Sequence, residues 1–320
     1  MATGDIHEGG CLCGAVRYRA VAGESKTVTH CYCHMCRKAT GGTFVTWVEY
    51  PAKSFVFTTG QPNYFRSSDL AERAFCGSCG CQLTFQAVGD PGNLSESIWI
   101  ALGGTDRPGD IEPTHHIFTD DRPPWLHLID DLPCWPSQLP WLRQEDELPR
   151  PTVPEENRNS QRTGAGADDG VREGGCLCGS VRYRGIVDSS HTVGHCHCGL
   201  CRKTTGATLV NWIHFPVKDF TFTKGQPKRF RSSPIAERTF CGTCGCQFTF
   251  QFTGDETKNL WVALGSTDRP EAFEPTHEIF TEDQIPWLNL GDGLKRWPGQ
   301  RPGLRTDDSL TSHDGNEQDS

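Results

Sequence analysis

The chain has 320 residues, with 31 Lys+Arg against 40 Asp+Glu and a formal net charge of -9. That balance excludes a general polyanion binder, which needs a basic surface to displace counterions from phosphate. There is no apolar run long enough for a spanning helix and no apolar stretch behind a basic start, so the expectation is a cytoplasmic protein, with the nucleus left open, that binds neither membrane nor nucleic acid directly.

In chain order, GGCLCGAVRYRA at 9–20 opens with Cys11 and Cys13 and runs into a strand in which Val16 and Tyr18 alternate with Arg17 and Arg19. HCYCHMCRK follows, with Cys31, Cys33 and Cys36 inside six residues. The short runs TFVTWVEY and SFVFT read as further strands between Gly, Pro and Ser punctuation. FCGSCGCQLTF then brings Cys76, Cys79 and Cys81, and SIWIAL is another strand. No stretch has a sustained helical period. At 174–185 the chain starts again: GGCLCGSVRYRG matches the first segment at 10 of 12 positions. Cys176, Cys178, Cys196, Cys198, Cys201, Cys241, Cys244 and Cys246 then repeat the earlier eight cysteines at an offset of 165.

The chain is therefore one unit written twice: a domain over 1–142, a Pro-, Gly- and charge-rich linker over 143–170, a second domain over 171–300, and an acidic disordered tail over 301–320. Each unit is expected to be a small, mainly antiparallel β domain, the two side by side and each with its own core.

With 17 cysteines and no secretory features, metal is favoured over disulfides. Cys-x-x-Cys-Gly is a zinc-knuckle turn that converges two thiolates on one ion, and a closed structural site needs four. Cys11 and Cys13 can complete Cys76 and Cys79, and likewise Cys176 and Cys178 can complete Cys241 and Cys244. The triplets Cys31, Cys33, Cys36 and Cys196, Cys198, Cys201 wrap an ion from one side. Three protein ligands with one exchangeable position describe a catalytic zinc. The alternative is that Cys81 and Cys246 close these sites as fourth ligands, and spacing leaves both open. Either way the expected cofactor is Zn²⁺, about two per domain. Arg37 and Lys38, with Arg202 and Lys203, follow the triplets and are candidates for a substrate carboxylate. The neighbouring His30 and His195 are expected to hydrogen-bond behind the metal rather than ligate it. FRSS at 65–68 and 230–233 reads equally as an anion contact or a turn, while His115 and His277 read as packing residues. Glu49 becomes His214 in the second copy, which weakens it as a general base, and Cys134, aligned with Arg296, reads as an incidental thiol.

GGCLCGAVRY, HCYCHMCRKATGG, RAFCGSCGCQLTF and HHIFTDDRPPWL together resemble the CENP-V/GFA domain, whose namesake is the glutathione-dependent formaldehyde-activating enzyme, S-(hydroxymethyl)glutathione synthase. The resemblance covers nearly all of 9–135 and 174–297. It implies a β-rich, Mss4-like β-tent, a structural zinc on Cys11, Cys13, Cys76 and Cys79, and a catalytic zinc on Cys31, Cys33 and Cys36, with the matching roles in the second copy. The pattern departs where Cys81 and Cys246 stand, where members commonly carry another residue, and His116 becomes Glu278 between the copies. The activity implied is carbon–sulfur bond formation between glutathione, or a related thiol, and a small aldehyde. The competing expectation is a non-catalytic zinc scaffold that binds a protein or chromatin partner.

Overall fold

The computed structural model describes residues 5–23, 27–88, 96–138, 170–187, 191–253 and 259–302. The expected linker at 143–170, apart from its last residue, and the expected tail at 301–320, apart from its first two, lie outside them.

Each copy is built from two sheets. In the first, β1 (Ile6–Gly10), β2 (Arg17–Val21) and β5 (Phe55–Thr59) form a three-stranded antiparallel sheet in the order β1-β2-β5. The larger sheet collects β3 (Val28–Cys31), β4 (Val45–Pro51), β6 (Asn63–Ser68), β7 (Ala71–Phe75), β8 (Gln82–Ala87), β9 (Ser97–Ala101) and β10 (His115–Ile117). Its order is β10-β3-β4-β9-β8-β7-β6, antiparallel except for the β10–β3 pair. The alternation read at 16–19 is present in β2: Tyr18 and Ala20 are buried while Arg17 and Arg19 face outward. FRSS belongs to β6, where the Arg66 guanidinium turns back onto the carbonyls of Ser68 and Asp69 and so closes the β6–β7 turn.

The second copy repeats this with β11 (Val171–Gly175), β12 (Arg182–Ile186) and β15 (Phe220–Lys224) in the small sheet. Its large sheet has β13 (Val193–Cys196), β14 (Val210–Pro216), β16 (Lys228–Ser233), β17 (Ala236–Phe240), β18 (Gln247–Phe252), β19 (Asn259–Ala263) and β20 (His277–Ile279). A short β21 (Lys295–Arg296) extends the edge.

Among the described residues there are two α-helices, α1 (His34–Thr40) and α2 (Gly199–Thr205), one per copy. They run two turns, too short for a periodic signal in sequence, and both start inside a cysteine triplet. The Cys33 sulfur accepts from the Cys36 amide at 3.3 Å, so a thiolate position doubles as the helix N-cap.

The expectation of a separate core in each copy does not hold. One cluster of buried residues contains Tyr18, Val48, Tyr50 and Leu83 together with Tyr183, Ile213, Phe215 and Phe248. The backbone itself crosses the junction: Gly103 N–H donates to Gly206 O at 3.1 Å, and Gly265 N–H donates to Gly41 O at 2.9 Å. Gln82 Nε2 reaches Cys244 O at 2.6 Å and Gln247 Nε2 reaches Cys79 O at 2.8 Å, so each knuckle is bonded to the opposite copy. The repeats form one pseudo-twofold body, joined by a continuous core and by hydrogen bonds across the junction.

Candidate metal centre

Two kinds of sulfur cluster emerge, and they occupy different parts of the fold. Cys11 and Cys13 follow β1, while Cys76 and Cys79 lie in the turn between β7 and β8, 63 residues further on. Their four Sγ atoms lie within 4.8 Å of one another, with Cys11–Cys13 at 3.5 Å and Cys13–Cys76 at 3.6 Å. Cys176, Cys178, Cys241 and Cys244 form the same group in the second copy, with separations of 3.4 and 3.7 Å for the corresponding pairs. Four sulfurs at such distances are the donor set of a tetrahedral thiolate site with metal–sulfur bonds near 2.3 Å. The knuckle turn closes through Gly80, whose φ is +79° and whose amide donates to Cys76 O at 2.8 Å. A side chain there would also meet Phe240 of the other copy at 2.5 Å.

The triplet comes from one continuous segment. Cys31 ends β3, Cys33 caps α1, and Cys36 lies in its first turn, so a strand-to-helix corner turns three sulfurs to one point. They lie within 4.8 Å of one another, Cys31–Cys36 at 3.6 Å, and no fourth Cys, His, Asp or Glu among the described residues joins that group. Cys196, Cys198 and Cys201 sit at the same corner between β13 and α2. Each triplet is embedded in its own small apolar cluster: Val45, Trp47, Ala101 and Ile117 around the first, Val210, Trp212, Ala263 and Ile279 around the second.

Within each triplet one sulfur is the preferred anion. Hydrogen bonds from Cys31 and Cys33, with the charge of Arg73, hold the Cys36 thiol well below its usual value despite burial. Cys201 is lowered in the same way by Cys196 and Cys198, with Arg238 adding to it. Trp47 Nε1 donates to Cys36 Sγ at 3.3 Å and Arg73 Nη2 at 3.4 Å. Arg238 Nη2 makes the matching contact with Cys201 Sγ at 3.4 Å. Both arginines come from β7 and its repeat β17, are almost fully buried, and were not singled out by sequence reasoning. A lone Arg in the strand pattern RAF or RTF carries no signal. Only the sheet brings it, 37 residues away in sequence, against the sulfur.

Other expected site residues are placed elsewhere. Cys81 and Cys246 do not reach the triplets. They are completely buried in the shared core, where the Cys81 thiol lies 3.4 Å from Gln82 O and burial pushes both thiols up. The strand geometry sends Cys81 inward, and that leaves the triplet without a cysteine fourth ligand. Arg37 and Lys38 are not available to a substrate carboxylate. Arg37 donates to Gly265 O and Thr267 O of the other copy, at 2.9 and 2.7 Å, and to the His34 ring. Lys38 is bound to Asp268 at 2.6 Å and to Ser266 O at 2.7 Å. Arg202 donates to the carbonyls of His197 and Asp283, and Lys203 to Asp106 at 2.7 Å. The helices that begin at the metal corners lie on the junction, so Arg37, Lys38 and Lys203 point across it, while Arg202 stays within its own copy.

The histidines stand behind the triplet, apart from its sulfurs. His30 Nδ1 lies 2.8 Å from Thr46 Oγ1 and its ring packs on His116 and Trp287, while His195 meets Asn211 at 2.7 Å. His115 contacts Thr29 at 2.9 Å and packs edge-on to Trp135. The exchange of His116 for Glu278 is compensated locally. His116 bridges Tyr32 and Asp130, both at 2.9 Å, whereas Glu278 holds His197 at 2.8 Å and Arg296 at 3.0 Å. Arg296 therefore stands where the first copy has Cys134, because the second copy buries a carboxylate that needs a cation. Glu49 accepts only from Ser97, at 2.7 Å.

The sequence model described as "Glutathione-dependent formaldehyde-activating enzyme" matches residues 6–121 and again 171–283. An uncharacterized lyase of Schizosaccharomyces pombe is 29% identical over 137 residues, covering 35% of this chain and 93% of the relative. A protein of Halomonas elongata, whose name assigns it provisionally to the glutathione-dependent formaldehyde-activating enzymes, is 29% identical over 129 residues, covering 38% of this chain and 80% of its own. No helix among the described residues is long and apolar enough to cross a membrane. Two matched regions on the same mainly β scaffold, each with the four-sulfur cluster, mean that this chain belongs to the glutathione-dependent formaldehyde-activating (GFA) family and carries its domain twice.

Proposed function

We propose that the chain is a zinc-dependent carbon–sulfur lyase/synthase that joins the thiolate of glutathione, or a related thiol, to a small aldehyde, with one active site per copy. The observation that supports it most is the triplet: two buried cysteines and the half-buried Cys33 from one corner, grouped without a fourth protein ligand among the described residues. The donor set fits zinc in the two four-sulfur clusters and in the first triplet, since soft thiolates at these separations suit a tetrahedral ion, and the repeat of the same three cysteines in the second copy extends the reading to two ions per domain and four per chain.

Bound at the triplet, zinc would supply deprotonation of a substrate thiol whose unperturbed pKa is near 8.5, holding it as thiolate at neutral pH. The chain's own residues do the rest. Cys31, Cys33 and Cys36 set the direction of the open position. Trp47 and Arg73 hydrogen-bond Cys36, fixing its orientation and moderating its charge. Val45, Ala101 and Ile117 keep the corner dry, so that sulfur and carbonyl meet without competing water. Three thiolates around one divalent ion leave a net charge of about -1, a weak Lewis acid, so positioning the nucleophile is the larger contribution.

Cys33→Ser combined with Cys198→Ser should abolish turnover of glutathione with formaldehyde while circular dichroism and melting stay near wild type. Glutathione should also shift the absorption of a cobalt-substituted triplet. A silent cobalt spectrum together with no turnover by the metal-loaded wild type would overturn the enzyme in favour of a zinc scaffold.

A further inference from the structure

Each triplet has beside it a buried charge with an unused hydrogen. Arg73 and Arg238 are 2% and 3% exposed, deeper than almost any arginine tolerates without full pairing. One nitrogen of each, Nη2, is spent on a triplet sulfur. The others are not equivalent between the copies. Arg238 Nε has found Ser232 Oγ at 3.2 Å, whereas Arg73 Nε has no partner among the described residues. Nη1 is the shared feature, buried in both and without a hydrogen-bond partner among the described residues.

Leaving such a donor unsatisfied costs about 1–3 kcal/mol, more for a charged group. A group that only offset the charge of Cys36 would not need it, because a lysine ammonium does that as a point charge. The guanidinium is also held in one plane. Its carbon lies 5.6 Å from the Trp47 ring and 5.0 Å from Phe85, and in the second copy 5.5 Å from Trp212 and 4.8 Å from Phe250. Because the fork is rigid and Nη2 is at 3.4 Å from the sulfur, Nη1 lies within roughly 6 Å of it. That is the distance at which an acceptor on a molecule attached beside the triplet would be met.

We propose that Nη1–H of Arg73, and of Arg238 in the second copy, binds the oxygen of the small carbonyl substrate and makes these two arginines catalytic residues. This rests on the thiol–aldehyde function proposed above. The thiolate sulfur gives a lone pair to the carbonyl carbon and forms the C–S bond, and the C=O π pair moves onto oxygen. The resulting alkoxide is held by Nη1–H, then takes a proton from water, while the guanidinium keeps its own throughout. The product is the hemithioacetal, and no oxidant or reductant is required. A fixed cation in an aromatic, water-poor wall stabilises charge that develops in the transition state far better than bulk water does.

The test uses the full chain, metal-loaded, with Arg73→Lys and Arg238→Lys combined. The expected result is a loss of about 10²-fold in kcat/KM for formaldehyde, the usual effect of one oxyanion donor. The dependence on glutathione and the cobalt content of the triplet should be unchanged. A loss that follows glutathione instead, or a loss of cobalt, overturns the assignment and reduces the arginines to supports of the sulfur. Should the lysine pair fail to fold, the wild-type protein decides with formate as a carbonyl-like probe. Formate should compete with formaldehyde but not with glutathione, and competition with glutathione overturns the proposal. A cobalt spectrum blind to glutathione would instead overturn the thiol–aldehyde function itself. A spectrum that answers glutathione, with formaldehyde turnover indifferent to formate, overturns only the arginine assignment.

Discussion

Cys36 is the most heavily supported atom in the first triplet: two sulfurs, an indole N–H and a guanidinium converge on it. Removing the indole N–H should weaken the metal and spare the fold. Trp47→Phe keeps the ring and loses the N–H, so triplet metal affinity should fall 10–100-fold in chelator competition, with the four-sulfur clusters unaffected. A second residue-scale feature is the pair of aspartates at the junction. The Arg17 hydrogen bond, then Lys203, holds Asp106 down to about 2 from 3.8. Asp268 is lowered too: burial opposes it, but Lys38 and Arg182 outweigh the burial. A carboxyl lowered in the folded state stabilises the protein above its unfolded value, and that contribution is lost as pH falls from 3.8 towards 2. Melting temperature at matched metal content should therefore drop over that window. Asp268→Asn should be less stable at neutral pH and show a shallower acid slope.

At the scale of elements, the knuckle turn and the first strand are tied by sulfur across 63 residues. Cys11→Ser leaves three ligands, and structural zinc contributes folding free energy directly. The variant should lose about one zinc per chain and melt well below wild type, read by metal analysis and calorimetry. The helices α1 and α2 show why the triplet sites were only partly legible. The cysteine spacing identified the corner, but two turns are too few to announce a helix, so the direction of Arg37, Lys38, Arg202 and Lys203 was assigned to substrate. The helices instead carry Arg37, Lys38 and Lys203 onto the other copy, and Arg202 onto carbonyls of its own.

Across the whole molecule, the repeats share one core and exchange cations in a pseudo-twofold pattern: Lys38 with Asp268, Lys203 with Asp106. The equivalence ends at burial. The Lys38 pair is 4% and 9% exposed, the Lys203 pair 31% and 35%. Lys38→Met should cost about 3 kcal/mol, the low end for a broken buried pair because Arg182 still meets Asp268. Lys203→Met should cost less than about 1 kcal/mol. Urea titrations of the two variants measure the difference directly. Since the core is continuous, wild type should unfold in one transition rather than two, with tryptophan fluorescence and circular dichroism coinciding.

Cysteine spacing, strand alternation and the doubling of both were enough to establish a mainly β metal-binding protein with two kinds of sulfur site, because ligand geometry and the period of a strand are local properties of the chain. Those same local rules could not say that Cys81 turns into the core, that Arg37, Lys38 and Lys203 face the sister repeat, or that Arg73 and Arg238 lie against the triplets. Each of these depends on which strands pair and which surfaces meet, and such contacts form between residues far apart in the chain, only once the two repeats have closed on each other.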